Sequence, residues 1–110
     1  MPANYIVSYQ GPEYKTDEFI NYYQQQHAQI LQKFTSITSL VLHQATNFQD
    51  PFPVTASTNT LVAQMTFKNL SDLNLALQSE ARAMARKDFQ NFLEGNSKVT
   101  HQAYNSERIL

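Results

Sequence analysis

The sequence contains no cysteine, only two glycines, and few charged side chains. Without cysteine it can form no disulfide, no thiolate nucleophile and no sulfur-ligated metal site. No Gly-rich phosphate loop can be traced, since Gly11 and Gly95 lie at opposite ends of the chain. Asp, Glu, Lys and Arg make up 15% of the residues, where roughly 25% is usual. The net charge is −1, with no basic stripe and no acidic tail, which argues against nucleic acid and against an anionic membrane surface as partners. Met1 to Gln10 has neither the positive start nor the apolar stretch of a secretory leader. No run approaches the roughly 20 apolar residues of a membrane span. A cytoplasmic protein with no membrane association is expected.

What is present fits one domain over residues 1–110. Gln, Asn, Ser and Thr fill the gap left by the missing charges. Tyr5 to Gln10 alternates in side-chain character as a strand does, and Gly11-Pro12 ends it. Asp17-Glu18 place negative charge where a helix N-terminus favours it. From there Phe19, Ile20, Tyr23, His27, Ile30, Leu31 and Phe34 fall within one arc of about 120° on a helix. Ser36 to Thr46 reads as a second strand. Asn47 to Asn59, with Asp50-Pro51-Phe52-Pro53, is an unusually long irregular connection of the kind that serves as a functional loop or an interface arm. Thr60 to Phe67 forms a third strand. Ser71 is placed to cap a second helix, which carries Leu73, Ala76, Leu77, Ala81, Met84, Ala85, Phe89 and Phe92, with a break near Ser79 and a stop at Gly95. Lys98 to about Ser106 is the fourth strand.

The order β-α-β-β-α-β predicts an α+β, ferredoxin-like fold, a four-stranded antiparallel sheet with both helices on one face. The other sheet face would ordinarily meet water and carry charge. Yet no Asp, Glu, Lys or Arg occurs in Tyr5–Gln10, Ile37–Thr46, Thr60–Phe67 or Val99–Ser106. A sheet free of charge on both sides predicts a homodimer in which two open faces pack together as a dimeric α/β barrel. The alternative is a monomer with a polar, uncharged open face. The third strand also lacks the basic residues with which sheets of this order bind RNA.

Two polar residues stand on otherwise apolar helix faces. His27 lies within the arc of the first helix, where an imidazole can act as general acid or base near neutral pH. The alternative is a core histidine bonded to a carbonyl or a tyrosine hydroxyl. Asp88 shares an arc with Ala81, Met84, Ala85 and Phe92, and a buried carboxylate needs a partner. If that partner is His27, the carboxylate orients the ring and raises its basicity; otherwise it anchors the helix. Tyr23, His43 and Met84 are candidate substrate contacts. Tyr22 falls on the helix flank as a packing or dimer residue. The three histidines show no metal-ligand spacing, so no metal site is expected.

The pattern Phe19, Tyr22-Tyr23, His27, followed by Leu31 and Phe34, resembles the first helix of EthD-like proteins. Ser71-Asp72-Leu73 through Ala81, Ala85, Asp88, Phe89 and Phe92 is similar to their second. The chain departs from that family at Gln29, where Pro is frequent, and at Thr35-Ser36, where Pro-Gly is frequent. The resemblance implies a dimeric α/β barrel and kinship with small isomerases, cyclases and decarboxylating enzymes; the family takes its name from ether degradation. The resulting expectation is a cofactor-free enzyme performing acid–base chemistry on an apolar cyclic or aromatic carbonyl compound, with His27 and Asp88 as catalytic residues. A non-catalytic binding protein and a monooxygenase are the alternatives. An open cavity of a few hundred Å³ at His27 would favour ligand binding, and a filled space would favour a structural role.

Overall fold

The structure, a computed structural model, describes residues 1–10, 16–93 and 98–110. The expected stops at Gly11-Pro12 and Gly95 lie outside them. Strand β1 (Ala3–Gln10) is followed by α1 (Thr16–Tyr22), which runs through a π-helical turn (Tyr23–His27) into α2 (Ala28–Leu31). Then come β2 (Ile37–Gln44), β3 (Leu61–Phe67), α3 (Leu70–Ala76), α4 (Glu80–Asp88), a 3₁₀ turn (Phe89–Asn91) and β4 (Lys98–Asn105). The strands form one antiparallel sheet in the order β2-β3-β1-β4. This is the α+β ferredoxin-like arrangement the sequence predicts.

Strand alternation divides the sheet into two unlike faces. Opposite pairs Tyr9–Leu61, Val7–Ala63 and Tyr5–Met65 line up across β1 and β3, on the side covered by helices. Tyr9, Leu61, Ala63, Met65 and Phe67 are buried there against Phe19, Tyr23, Leu31, Phe34, Leu73, Ala76, Ala81 and Ala85. Each fully buried large side chain contributes about 1.5–3 kcal/mol, so this layer holds the fold together. The other face carries hydrogen-bonded polar groups. Asn4 Oδ1 accepts from Thr66 and Gln64, Asn4 Nδ2 donates to Ser106, and Gln64 Oε1 lies 3.0 Å from His43 Nε2. On the four strands, Lys98 is the one residue with a formal charge, at the start of β4.

The helices differ from expectation in two respects. The first is not uniform: the Ala28 amide donates to the Tyr23 carbonyl, five residues back, which widens one turn. The cap of α3 is Asn69 rather than Ser71. Its extended backbone lets Oδ1 accept from the Asp72 amide at 2.8 Å, and Ser71 is already inside the helix. The break near Ser79 is present, and Ser79 itself caps α4 by accepting from the Arg82 amide.

The turn into β2 contains a strained residue. Ser36 has φ of 64°, the left-handed region that costs an ordinary L-residue about 1–2 kcal/mol. This is where the family resemblance expects the Gly of a Pro-Gly turn. Ser36→Gly removes the Cβ penalty and adds some unfolded-chain entropy, so a net gain of about 0.5 kcal/mol is expected in urea denaturation. A lower midpoint in the variant would show that the Ser36 side chain contributes more than its backbone costs.

Candidate functional site

The wide turn in the first helix and the end of α4 meet over the sheet. His27, at the last residue of the π turn, is 1% exposed. Its Nδ1 lies 2.8 Å from Asp88 Oδ2. Asp88, the last residue of α4, accepts two further hydrogen bonds through Oδ1, from the Tyr22 hydroxyl at 2.8 Å and from Asn91 Nδ2 at 2.9 Å. A carboxylate facing Nδ1 takes the proton-bearing side of the imidazole, which leaves Nε2 as the basic nitrogen. Nε2 has no hydrogen-bond partner among the described residues. No buried side-chain nitrogen or oxygen among the described residues lacks a partner, and His27 is one of the residues that line a narrow cleft.

Aromatic rings surround this pair. The His27 ring centre is 4.6 Å from Phe92, 4.9 Å from Tyr23 and 5.5 Å from Phe89. Behind them the hydroxyls of Tyr9 and Tyr23 lie 3.1 Å apart. Burial pushes both phenols above their ordinary value, so they stay neutral and serve as hydrogen-bonding groups. Burial also lowers the His27 pKa, and the hydrogen bond and charge of Asp88 offset this only in part. For Asp88 burial alone would raise the value. The hydrogen bonds from Asn91, His27 and Tyr22 outweigh it and hold the carboxyl below its ordinary range. The resting pair is therefore a neutral imidazole against a carboxylate.

The cleft is lined by Tyr5, Tyr9, Tyr23, His27, Arg82, Arg86, Phe89 and His101, among others, and encloses about 20 Å³. That is room for about one water, not for a ring compound. Two of the expected substrate contacts are elsewhere. His43 lies on the opposite face of the sheet, bonded to Gln64, because its place in β2 pairs it with Val62, whose side chain points away from the helices. Met84 is 44% exposed and does not reach the cleft, since it sits at the rim of the arc that buries Ala81, Ala85 and Asp88. Tyr22, expected on the flank, holds Asp88; the widened turn had no mark in the sequence. Asn91 was missed, although it stands three residues after Asp88, the spacing at which side chains of one helix meet. Arg82, Arg86 and His101 gave no signal beyond their positions on α4 and β4. No three His, Asp, Glu or Cys residues converge among the described residues.

Proton binding at this pair is linked to stability. His27 holds its proton less readily folded than unfolded, so its contribution is complete above the ordinary value of about 6.5 and is lost as pH falls through the folded value. Asp88, also lowered, adds a loss of the same sign further into acid, as pH falls through its own folded value. The melting temperature is expected to drop as pH is lowered from 7 to 5, with the His27 NMR titration midpoint below 6.5. Asp88→Asn removes the charge that raises His27, so the midpoint should move lower still, with about 2 kcal/mol of stability lost. A midpoint that rises in the variant would contradict this coupling.

Solved structures share the fold throughout. An EthD-family protein from Bacillus halodurans C-125 is 20% identical, with TM-score 0.79 over 97% of this chain and 100% of its own. SnoaB from Streptomyces nogalater, a cofactor-independent oxygenase, is 11% identical, with TM-score 0.68 over 99% and 96%. A dimeric protein of unknown function and ferredoxin-like fold from Bacteroides fragilis NCTC 9343 is 16% identical, with TM-score 0.63 over 96% of each chain. Identities this low carry the architecture and not the chemistry. No curated protein matches the chain in sequence. The EthD domain profile, however, matches residues 11–96, which is most of the sequence and spans both helical segments. The chain belongs to the EthD family.

Proposed function

We propose that this protein is an enzyme of acid–base chemistry, in which His27 Nε2 removes or returns a proton on an apolar cyclic or aromatic carbonyl compound. The observation that carries this reading is the His27–Asp88 contact of 2.8 Å at a residue that lines the cleft, with no partner for the opposite ring nitrogen among the described residues. Asp88 fixes the ring and stabilises the imidazolium formed when Nε2 takes a proton. The neutral Tyr23 hydroxyl and the surrounding rings exclude water and favour a flat, apolar ligand.

The small volume of the cleft weighs the other way, toward a structural His27. A substrate enters only if a lining side chain moves. The exposed Arg86 and the half-buried Arg82 lie over rings of the cleft and are the side chains free to do so. A second reading, oxygenation without a cofactor, is consistent with the fold shared with SnoaB and would begin with the same proton removal. A non-catalytic binding protein would use the same cleft without it.

The test is hydrogen–deuterium exchange at the carbon between the ring and the carbonyl of 2-tetralone, followed by proton NMR. The protein should accelerate exchange over buffer, and His27→Gln, folded by circular dichroism, should lose at least tenfold of that acceleration. Equal exchange with both proteins would remove His27 as the base. Oxygen uptake in the same samples separates oxygenation from simple proton transfer.

We further propose that two copies pack through the open sheet face. Val41 and Tyr104 are exposed on that face, and Phe48, Phe52 and Val54 project from the connection between β2 and β3. A second copy would cover the former, and the connection would reach around it as an arm. Light scattering at micromolar concentration should give twice the 12.6 kDa of one chain. Val62→Lys, which puts a charge at the middle of that face, should give a single-chain mass, because burying an unpaired ammonium costs several kcal/mol. A single-chain mass for the unsubstituted protein would overturn the proposal.

A further inference from the structure

Two of the eight basic residues in the chain stand one helical turn apart at the cleft mouth. Arg82 places its guanidinium carbon 5.7 Å from the Tyr5 ring centre, and Arg86 places its own 5.1 Å from that of Phe89. Among the described residues no carboxylate forms an ion pair with either. Like charges at this spacing weaken a helix, an effect that the C-terminal end of α4 offsets for Arg86 but not for Arg82. Between the two rings lies His101, 5.8 Å from Tyr5 and 6.3 Å from Phe89. Burial first, and then the nearness of both arginines, lowers its proton affinity, so the two cations act on one spot. The mouth is thus a patch of aromatic surface under two unpaired guanidiniums, in a chain otherwise short of charge.

We propose that Arg82 and Arg86 form an anion subsite that takes a planar aromatic ligand through a carboxylate held across the two guanidiniums. The planar donors of arginine match a carboxylate in paired hydrogen bonds, which a lysine in either place would not supply. As the guanidiniums turn to the carboxylate, they leave the Tyr5 and Phe89 rings, where cation–π contact is weak at an exposed position. The vacated ring faces receive the ligand ring beside His101, and the cleft opens toward Nε2 of His27. The same two side chains act as closure in the free protein and as anchor in the complex. This inference rests on the cleft being the ligand site, and it makes that site selective for an anionic ring compound.

The probes are 2-naphthoate and its neutral counterpart 2-naphthamide, titrated into the full chain with the arginine Nε–H signals followed by NMR. Naphthoate should bind at least tenfold more tightly than the amide, shift the Arg82 and Arg86 signals together, and weaken as salt is raised. Arg82→Gln with Arg86→Gln should lower naphthoate affinity about tenfold and leave the amide unchanged. Lys87→Gln, which removes a charge from the same helix outside the cleft, should have no effect. Equal affinity for acid and amide, an unchanged double variant, or no binding of either probe would each overturn the subsite. Failure of the base reading looks different: naphthoate binding stays intact in His27→Gln, while tetralone exchange is absent from the unsubstituted protein.

Discussion

One carboxylate holds the site together. Asp88 ends α4 beneath a layer of aromatic rings, where a charge without partners would cost several kcal/mol. It is tolerated because three donors reach it from three segments, Tyr22 at the end of α1, His27 at the end of the π turn and Asn91 in the 3₁₀ turn. These bonds tie the two helical halves of the chain to each other above the sheet. They also fix which imidazole nitrogen carries the proton, and so which one is left as the basic nitrogen. Structure and chemistry share this joint, which is why a packing histidine and a catalytic one make the same contact on one side and differ only on the other.

The π turn supplies the geometry for that joint. A regular helix would carry Tyr22 away on the flank, as its sequence position implies. Widening the turn brings Tyr22 and His27 onto a single carboxylate while Tyr23 stays in the core. Wide turns of this type weaken local hydrogen bonding and persist where the side chains they aim have work to do.

The fold was largely legible because it is written in periodicities. Two-residue alternation marked the strands, and 3.6-residue recurrence marked the helices. His27 and Asp88 were visible as polar residues on apolar arcs, but whether they meet was left open until the fold set the two arcs against each other. What escaped the sequence depends on more than one element. The face on which His43 falls is set by its pairing with Val62, and the arc of α4 is narrow enough to leave Met84 outside. Arg82 and Arg86 read as ordinary surface residues of a helix, because only the fold shows that Tyr5, Phe89 and His101 lie beneath them. The Asn69 cap was missed to a neighbour of equal capping propensity two positions on.

The lack of tryptophan leaves tyrosine as the dominant intrinsic fluorophore, and among the described residues Tyr5, Tyr9 and Tyr23 line one cleft while Tyr22 bonds to the carboxylate beside it. Tyr9 and Tyr23 share a hydroxyl contact, and Tyr22 donates to a carboxylate, an arrangement that dims phenol emission. The native protein therefore carries an unlabelled optical sensor aimed at its own interior. Any event that parts those hydroxyls changes the brightness of the whole molecule, with no brighter indole to mask it.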